Sequence, residues 1–357
     1  MNNVKLSASR IKLAQQCSWK YWANYILKLP QKGNDGSNRG SVCHMVYETL
    51  GDTAHSDDYN EIIKAGTVHG SKKIFSLIKE YAEELGVSDD ENMELIDMMC
   101  VKGLLYDFFG ADDADPKEAI SEKSFDIEVD EDGKKYKIRG FIDKLFLYSK
   151  EKRAIIRDFK TSKQVYKGKE ISDNLQNLMY CLAVKLLYPD YENREVEFVF
   201  VKFDLDKDLL GHPGKGILKM EKVSSDELDG FEYQLTAIQE FLENFNKKDA
   251  ESHYAANQGY PSDGSFGGPL MCGKEGFKKS KGELLYDDNG DKIPNFICEF
   301  RKPMVYYSLL DNEEKILRSV FEDDKSKLTA DKAKGEKIEK RFYDGCPHFH
   351  GSSLDLV

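Results

Sequence analysis

The feature that most constrains the fold is a change in the period of the apolar residues, which begins at Glu122. From there, SFDIEV and KYKIRGFI alternate apolar and polar side chains on either side of DEDGK, whose Asp-Gly pair is typical of a hairpin turn. LFLYS and AIIRDFKT are predicted as two further short strands. A helix over residues 172–188 and a β-branched strand, EVEFVFVKF, come next. This order predicts an α/β fold.

The regions on either side of these strands differ in character. Residues 1–118 are predicted to be helical, because IKLAQQCSWKYWANYI and SVCHMVYETL carry apolar residues at helical intervals and Ser7 or Ser9 can cap the first helix. Residues 119–206 form the predicted core. Residues 207–357 are predicted to be a helical and cysteine-containing region, in which the charged stretch 311–340 is expected to form exposed helix.

The charge distribution limits how the chain can bind its partners. A formal net charge of -12 argues against a general basic surface for nucleic acid, because phosphate contacts need local Lys and Arg. Residues 150–169 are rich in both, so we expect any nucleic acid there. No apolar run approaches the roughly 20 residues of a membrane-spanning helix. MNNVKLSASRIKL lacks the apolar core of a secretory signal, so we expect a cytoplasmic protein.

The strongest chemical pattern is Asp143 in RGFIDKL, followed by Asp158 and Lys160 in IIRDFKTS. Residues i and i+2 of a strand project to one face, so Asp158 and Lys160 are expected side by side, with Asp143 at the end of the preceding strand. Two carboxylates and an ammonium suit a hard cation such as Mg²⁺ or Mn²⁺ and phosphate chemistry. The alternative is an exposed ion pair on an edge strand, which is commoner for an isolated D-x-K.

The context favours the functional interpretation. A helix follows the D-x-K and carries Gln176 and Tyr180 at positions i and i+4, on one helix face. An amide and a phenol placed there could hold a phosphate or a carboxylate.

Taken together, the ordered motifs resemble the PD-(D/E)XK nuclease superfamily, in its RecB-like and AddB-like exonuclease branch with phage and CRISPR-associated relatives. The matching pieces are LSASRIKLAQQCSWKYWANYI, RGSVCHMVYETL, RGFIDKL, IIRDFKTS and QNLMY. The resemblance implies a mixed central sheet flanked by helices, an N-terminal helical region and a C-terminal region that a metal could staple.

The resemblance also implies roles for individual residues. His44, Asp143 and Asp158 match metal ligands, and Lys160 matches the catalytic lysine. Without the other motifs, His44 would be interpreted as a buried helix histidine.

Two further matches are less direct. Gln176 and Tyr180 match a Q-x-x-x-Y motif that lies near the active site and DNA. Glu122 stands where relatives often have an acidic residue, or is a charge on a strand edge.

These roles predict a Mg²⁺- or Mn²⁺-dependent deoxyribonuclease, with exonuclease action favoured because the relatives process DNA ends. The expected partner is DNA, as single strands or duplex ends. A helicase or recombination partner would have to supply unwinding, because no G-x-x-x-x-G-K-[ST] motif occurs. The alternatives are a catalytically silent nuclease fold that binds DNA ends or a partner subunit, and an RNA-directed nuclease.

The cysteines suggest a second metal site. Iron–sulfur members of the resembled branch place their first ligand at the position of Cys17, which implies a [4Fe-4S] cluster on Cys17, Cys272, Cys298 and Cys346. The spacing departs from the compact pattern of that branch, because Met304 stands where its closing cysteine would be.

Two other interpretations of the cysteines stay open. One is a zinc site that includes His348 or His350, and the other is no metal at all.

Overall fold

The computed structural model describes residues 4–110, 116, 118–172, 174–206, 213–252, 277, 279–280, 282–286, 292–293 and 298–347. The chain divides into two compact units. The larger unit comprises Asn2–Ala8 and Gly33–Phe241, and the smaller unit comprises Met1, Ser9–Lys32 and Leu242–Val357. The division into residues 1–118, 119–206 and 207–357, made from composition and motifs, stays a prediction.

The secondary-structure elements of the described residues are as follows. The α-helices are α1 (Ala8–Gln16), α2 (Ser18–Tyr21), α3 (Asp35–Leu50), α4 (Ser56–Ala65), α5 (Lys72–Leu85), α6 (Asp90–Leu105), α7 (Lys169–Ser172), α8 (Leu175–Leu187), α9 (Ser225–Glu243) and α10 (Lys247–Ser252). The strands are β1 (Glu118–Glu131), β2 (Lys134–Tyr148), β3 (Arg153–Lys160), β4 (Asn193–Phe200), β5 (Ile217–Lys219), β6 (Lys279–Ser280), β7 (Glu283–Leu284), β8 (Met304–Leu310), β9 (Ile316–Phe321) and β10 (Lys337–Tyr343).

A five-stranded sheet in the order β1-β2-β3-β4-β5 organises the larger unit. The first two strands form the predicted antiparallel hairpin, and its turn places Asp132 and Gly133 at φ values of 52° and 77°. Such positive angles at both central residues are what a type I′ turn requires. Strand β2 runs for 15 residues, so the prediction of KYKIRGFI and LFLYS as two separate strands was wrong.

The rest of the sheet is mixed, as predicted. Strand β3 pairs antiparallel with β2 and parallel with β4, and β4 pairs antiparallel with β5. A parallel pair needs a crossover, and here it contains α8. The side chain of Asn174 begins that helix by accepting hydrogen bonds from the backbone N–H groups of Gln176 and Asn177.

A buried apolar cluster joins the sheet of the larger unit to the helices that precede it. Side chains from α3, α4, α5 and α6 pack with Phe159 of β3 and Val199 of β4. The Tyr47 ring of α3 lies 4.5 Å from the Phe159 ring, and its hydroxyl donates a hydrogen bond of 2.7 Å to the Met99 carbonyl. These contacts fix α3, and therefore His44, against the sheet.

The smaller unit begins with the helix predicted over IKLAQQCSWKYWANYI, but Cys17 interrupts it. Helix α1 ends just before Cys17, and α2 begins just after it. The Cys17 Sγ accepts a hydrogen bond of 3.4 Å from the Lys20 backbone N–H, so the thiol acts as a helix cap. A π-helical turn at Trp22–Ile26 ends the segment.

The prediction of exposed helix over residues 311–340 was wrong. This stretch contributes β9 and the beginning of β10, which pair on either side of β8 in a three-stranded sheet. Val320 of β9 and Leu328 are buried apolar residues of this stretch. Lys337 and Lys340 form ion pairs with Glu314 and Glu322 at 2.9 and 2.6 Å, so the charges lie on the exposed side.

Within the described residues, no helix combines the length and apolar character needed to cross a membrane.

Candidate active site

Asp143 lies where β2 and β3 stop pairing. The last residue pair between the two strands is Lys144 with Arg157. One step further, the Asp143 Oδ2 accepts a hydrogen bond of 2.7 Å from the Phe159 backbone N–H, which replaces the missing strand contact. Asp143 is therefore buried inside β2, and the expectation that it ends a strand was wrong.

Asp158 and Lys160 lie on one face of β3, as strand alternation predicts. The Lys160 Nζ forms an ion pair of 2.6 Å with Asp158 Oδ2 and donates a hydrogen bond of 2.8 Å to Gln176 Oε1. Burial alone would lower the pKa of Lys160, but the charges of Asp158, Tyr166 and Asp143 and the hydrogen bond to Asp158 together outweigh burial and raise it. Lys160 therefore carries its positive charge at neutral pH.

Helix α8 brings Gln176 and Tyr180 to the same carboxylate. Gln176 Nε2 and the Tyr180 hydroxyl each donate a hydrogen bond of 2.7 Å to Asp158 Oδ1. The sequence suggested that these two side chains could hold a phosphate or a carboxylate. In the structure they hold a carboxylate. Both oxygens of Asp158 have partners, and its orientation is fixed from β3 and from α8.

His44, Glu122 and Asp143 form a group with the spacing of metal ligands. One ligand atom from each lies within 4.8 Å of the others, and among the described residues this is the one group of three such side chains. His44 Nδ1 lies 3.5 Å from Asp143 Oδ1 and 3.9 Å from Glu122 Oε1. The His44 side chain is 37% exposed, so the group can be reached from solvent.

The protonation of this group reflects its crowding. Burial and then the Asp158 charge raise the pKa of Asp143 to about 8. Burial lowers the pKa of His44, but the neighbouring Glu122 carboxylate and the charges of Asp143 and Asp158 prevail and raise it to about 9. Without a cation, the group therefore holds protons near neutral pH.

A divalent ion fits these donors. The Glu122 Oε1 is buried without a hydrogen-bond partner in the described part of the chain. Carboxylate oxygens are the ligands that Mg²⁺ and Mn²⁺ prefer, and an imidazole nitrogen is a common third ligand for transition metals. The sequence placed His44, Asp143 and Asp158 at the metal. The structure brings the first two together with Glu122, whereas Asp158 binds Lys160 beside them.

The sequence interpretation gave Glu122 no firm role, although a signal was available. In a hairpin with the two-residue turn Asp132-Gly133, residues at equal distances from the turn lie opposite each other. Glu122 and Asp143 are such a pair, and the observed pairs Ser121–Lys144 and Lys123–Ile142 enclose them. Hairpin register, rather than a motif, would have identified Glu122.

The predicted cysteine site belongs to the smaller unit. Burial raises the pKa of Tyr343, and the charges of Cys346, Cys298 and Cys17 add to the increase. Among the described residues, none of these three thiols belongs to a group with the close spacing of His44, Glu122 and Asp143. Cys272 lies outside the described residues, as do His348 and His350.

Aromatic residues crowd the segment 17–26. The Trp19 and Tyr21 side chains are buried in the smaller unit. The Tyr21 ring packs edge-on against Phe245 at 5.2 Å, so both are packing residues.

Comparison with known proteins agrees with the site geometry. Residues 5–259, more than half of the chain, match the family model of the PD-(D/E)XK nuclease superfamily. The match includes the candidate site and ends before Cys272, Cys298 and Cys346. No curated protein matches the chain.

Proposed function

Because the chain belongs to the PD-(D/E)XK nuclease superfamily, we propose that it is a Mg²⁺- or Mn²⁺-dependent deoxyribonuclease and acts as an exonuclease. The observation that carries the proposal is the ligand group of His44, Glu122 and Asp143 next to the Asp158–Lys160 ion pair. A silent nuclease fold would not need a complete set of these side chains.

The proposed metal ligands are His44, Asp143 and Asp158, with Glu122 as an additional carboxylate. Among the described residues, Glu122 Oε1 has no hydrogen-bond partner, and Asp158 Oδ2 is held by Lys160 alone. A bound divalent ion would acidify a water molecule and neutralise charge on the scissile phosphate.

The remaining site residues act on charge and position. Lys160 stays protonated, and it can donate a hydrogen bond to the attacking water or to a phosphoryl oxygen as negative charge develops. Gln176 and Tyr180 hold Asp158 by two hydrogen bonds to one oxygen, and its other oxygen forms the ion pair with Lys160. Gln176 also receives a hydrogen bond from Lys160, so the α8 residues position both members of the pair.

Positive charge near the site supports a polyanionic substrate. Burial lowers the pKa of Lys202, and the charges of Arg39 and Lys163 lower it further, so three cations lie near one another. Arg39 precedes His44 on α3, and Lys163 follows Lys160 within the segment where the sequence predicted nucleic acid. Clustered cations in a chain with a net charge of -12 provide the local positive charge that phosphate contacts need.

DNA ends are the proposed substrate because the RecB-like branch, which the motifs resemble, processes ends in recombination, repair or phage DNA metabolism. The chain would then need a helicase partner to act on long duplexes. An RNA-directed nuclease is the alternative substrate class.

An iron–sulfur cluster is a separate proposal for the smaller unit. It takes Cys17, Cys298 and Cys346 as three ligands, with Cys272 as the fourth. Anaerobically purified protein should then be brown, absorb near roughly 400 nm and contain iron. Zinc without iron would favour the zinc alternative, and neither metal would reject both.

The activity is tested with purified protein on end-labelled substrates in Mg²⁺, Mn²⁺ or EDTA. We expect linear single- or double-stranded DNA to be shortened from its ends in either metal and to stay intact in EDTA. Cleavage of circular DNA would contradict the exonuclease assignment, and cleavage of RNA alone would contradict the DNA assignment. Intact substrates under every condition would contradict the proposal as a whole.

A further inference from the structure

An exposed aromatic residue lies next to the candidate metal group. Phe141 is 63% exposed, although the following residues of β2, Ile142 and Asp143, are buried. Phe141 and Asp143 are two residues apart in one strand, so their side chains project to the same face about 7 Å apart. The residue opposite Phe141 on β1 is Ser124, which is too small to cover the ring.

A cationic side chain lies next to Phe141 on the same face of β2. Arg139, two residues before Phe141 on β2, is exposed and shares the same face. Its cross-strand neighbour is Asp126, which is itself paired with Lys5. Arg139 forms no salt bridge in the part of the chain that the structure describes. One face of β2 thus carries an exposed guanidinium, an exposed aromatic ring and the buried metal-group carboxylate at regular intervals.

A single exposed phenylalanine is common on protein surfaces and needs no function of its own. Phe342 on β10 of the smaller unit illustrates this, because it is also 63% exposed and its strand carries none of the proposed site residues. What distinguishes Phe141 is its place between a cation and the candidate metal group.

We propose that Phe141 stacks on a nucleobase beside the scissile phosphate and that Arg139 binds the next phosphate along the same strand. The inference rests on the proposed nuclease function and adds a substrate class to it. Inside a duplex both faces of a base are covered by its neighbours in the stack, so a base that stacks on Phe141 beside the scissile phosphate lies in a single-stranded end. Every base has a flat face, so the contact tolerates any sequence.

The test measures binding rather than cleavage. A fluorescent single-stranded oligonucleotide is titrated in EDTA, which keeps it intact, with wild type, Phe141→Ala, Phe141→Trp and Phe342→Ala. We expect Phe141→Ala to weaken binding roughly 5- to 150-fold, which is the range for one stacked base. Phe141→Trp should bind at least as well as wild type, and Phe342→Ala should bind like wild type. Equal affinities of wild type and Phe141→Ala would overturn the proposal.

A substrate change gives an independent readout. A series of oligonucleotides carries one abasic nucleotide at successive positions. At one position, the abasic nucleotide should weaken binding to wild type. The loss should equal the loss that Phe141→Ala causes with the intact strand. Phe141→Ala should lose no more at that position, because each change removes the same contact. Fully additive losses at every position would show that Phe141 does not stack on a base.

The phosphate contact has its own signature. Arg139→Gln should weaken binding of all sequences alike and reduce the slope of log affinity against log salt by about 0.7, the value for one phosphate of a single strand. An unchanged slope would overturn the role of Arg139.

Failure of this inference and failure of the nuclease assignment have different outcomes. Loss of cleavage by Asp158→Asn, together with normal binding by Phe141→Ala, would overturn only the stacking proposal. Full cleavage by Asp158→Asn, together with weak binding by Phe141→Ala, would overturn only the catalytic assignment.

Discussion

Glu122 and Asp143 face each other across the β1–β2 hairpin, with the pairs Ser121–Lys144 and Lys123–Ile142 on either side. Carboxylates directly opposite each other on antiparallel strands repel. Glu122 also has a positive φ of 46°, which is costly for a residue with a side chain. A cation bound between the two carboxylates would remove the repulsion, so this strained pair is the structural basis of the metal site proposed above.

Replacing Glu122 by Gln should therefore stabilise the metal-free protein and weaken its response to metal. At pH 9 in EDTA, where Asp143 is ionised, we expect Glu122→Gln to raise the free energy of unfolding by about 0.5–1 kcal/mol. Added Mn²⁺ should raise the melting temperature of wild type more than that of the variant. Urea denaturation and thermal melts measure both effects.

The matched control is Glu128→Gln. Glu128 lies on the same strand, but it is opposite Lys137 and forms an ion pair of 2.9 Å with it. Its loss should leave metal-free stability unchanged or slightly lower. A metal response of Glu122→Gln equal to that of wild type would remove Glu122 from the metal site.

The raised pKa of Asp143 predicts a pH-dependent difference between wild type and Asp143→Asn. Below about pH 4 this carboxyl is protonated in both the folded and the unfolded chain, so its ionisation contributes nothing. As pH rises towards 8, the unfolded chain ionises first, because the folded pKa is about 8. Wild type should therefore lose stability relative to Asp143→Asn across this window in EDTA.

Urea denaturation of the two proteins at intervals between pH 4.5 and pH 8 measures this difference. A stability difference that does not change with pH would contradict the raised pKa. A change of the opposite sign would mean that the fold favours the ionised carboxylate.

Tyr343→Phe should destabilise the smaller unit. The Trp19 indole N–H donates a hydrogen bond of 2.7 Å to the Tyr343 hydroxyl, which in turn donates one of 2.9 Å to the Phe300 carbonyl. Both side chains are buried, so removal of the hydroxyl leaves a donor and an acceptor unsatisfied, at a cost of about 1–3 kcal/mol. Chemical denaturation should detect the loss.

The control for this prediction is Tyr286→Phe in the same unit, because Tyr286 is 55% exposed and water can replace its hydroxyl contacts. Equal stability of the two variants would mean that the Trp19–Tyr343 hydrogen bond contributes little.

Tyr180→Phe should reduce activity without abolishing it. The variant loses one hydrogen bond to Asp158 Oδ1, but Gln176 still holds that oxygen. Loss of a residue that orients a metal ligand typically costs about 10- to 100-fold in metal affinity or activity. Rates measured over a range of Mn²⁺ concentrations would separate a loss of metal affinity from a loss of activity at saturating metal.

Tyr188→Phe, after the end of the same helix, is the control for Tyr180→Phe and should behave like wild type. Wild-type rates in Tyr180→Phe at limiting Mn²⁺ would show that Tyr180 does not position Asp158.

The sequence predicted the sheet and the central residues of the site because their signals are local. The Asp132-Gly133 turn, the alternation along the hairpin and the two-residue interval between Asp158 and Lys160 each depend on neighbouring residues alone. The sequence also allowed the contact of Gln176 and Tyr180 with a carboxylate to be predicted, because their helical spacing puts them on one face.

What the sequence could not predict depends on long-range pairing. Residues 311–340 look like exposed helix in isolation, and their strands form by hydrogen bonding to β8, which lies outside that stretch. Helix α1 ends at Gln16 because Cys17 caps the next helix, which no apolar period reveals. The buried ion pair of 2.5 Å between Arg157 and Glu197 joins residues 40 positions apart and has no local signal.

The most direct test of the proposed nuclease centre compares metal-dependent DNA degradation by four proteins. They are wild type, Asp158→Asn, Lys160→Met and the exposed-site control Asp190→Asn. Each protein is first shown to be folded by its thermal melt. We expect wild type and Asp190→Asn to degrade DNA from its ends in Mn²⁺. Asp158→Asn and Lys160→Met should show no degradation above the EDTA background. Degradation at the wild-type rate by folded Asp158→Asn or Lys160→Met would contradict the proposed nuclease centre.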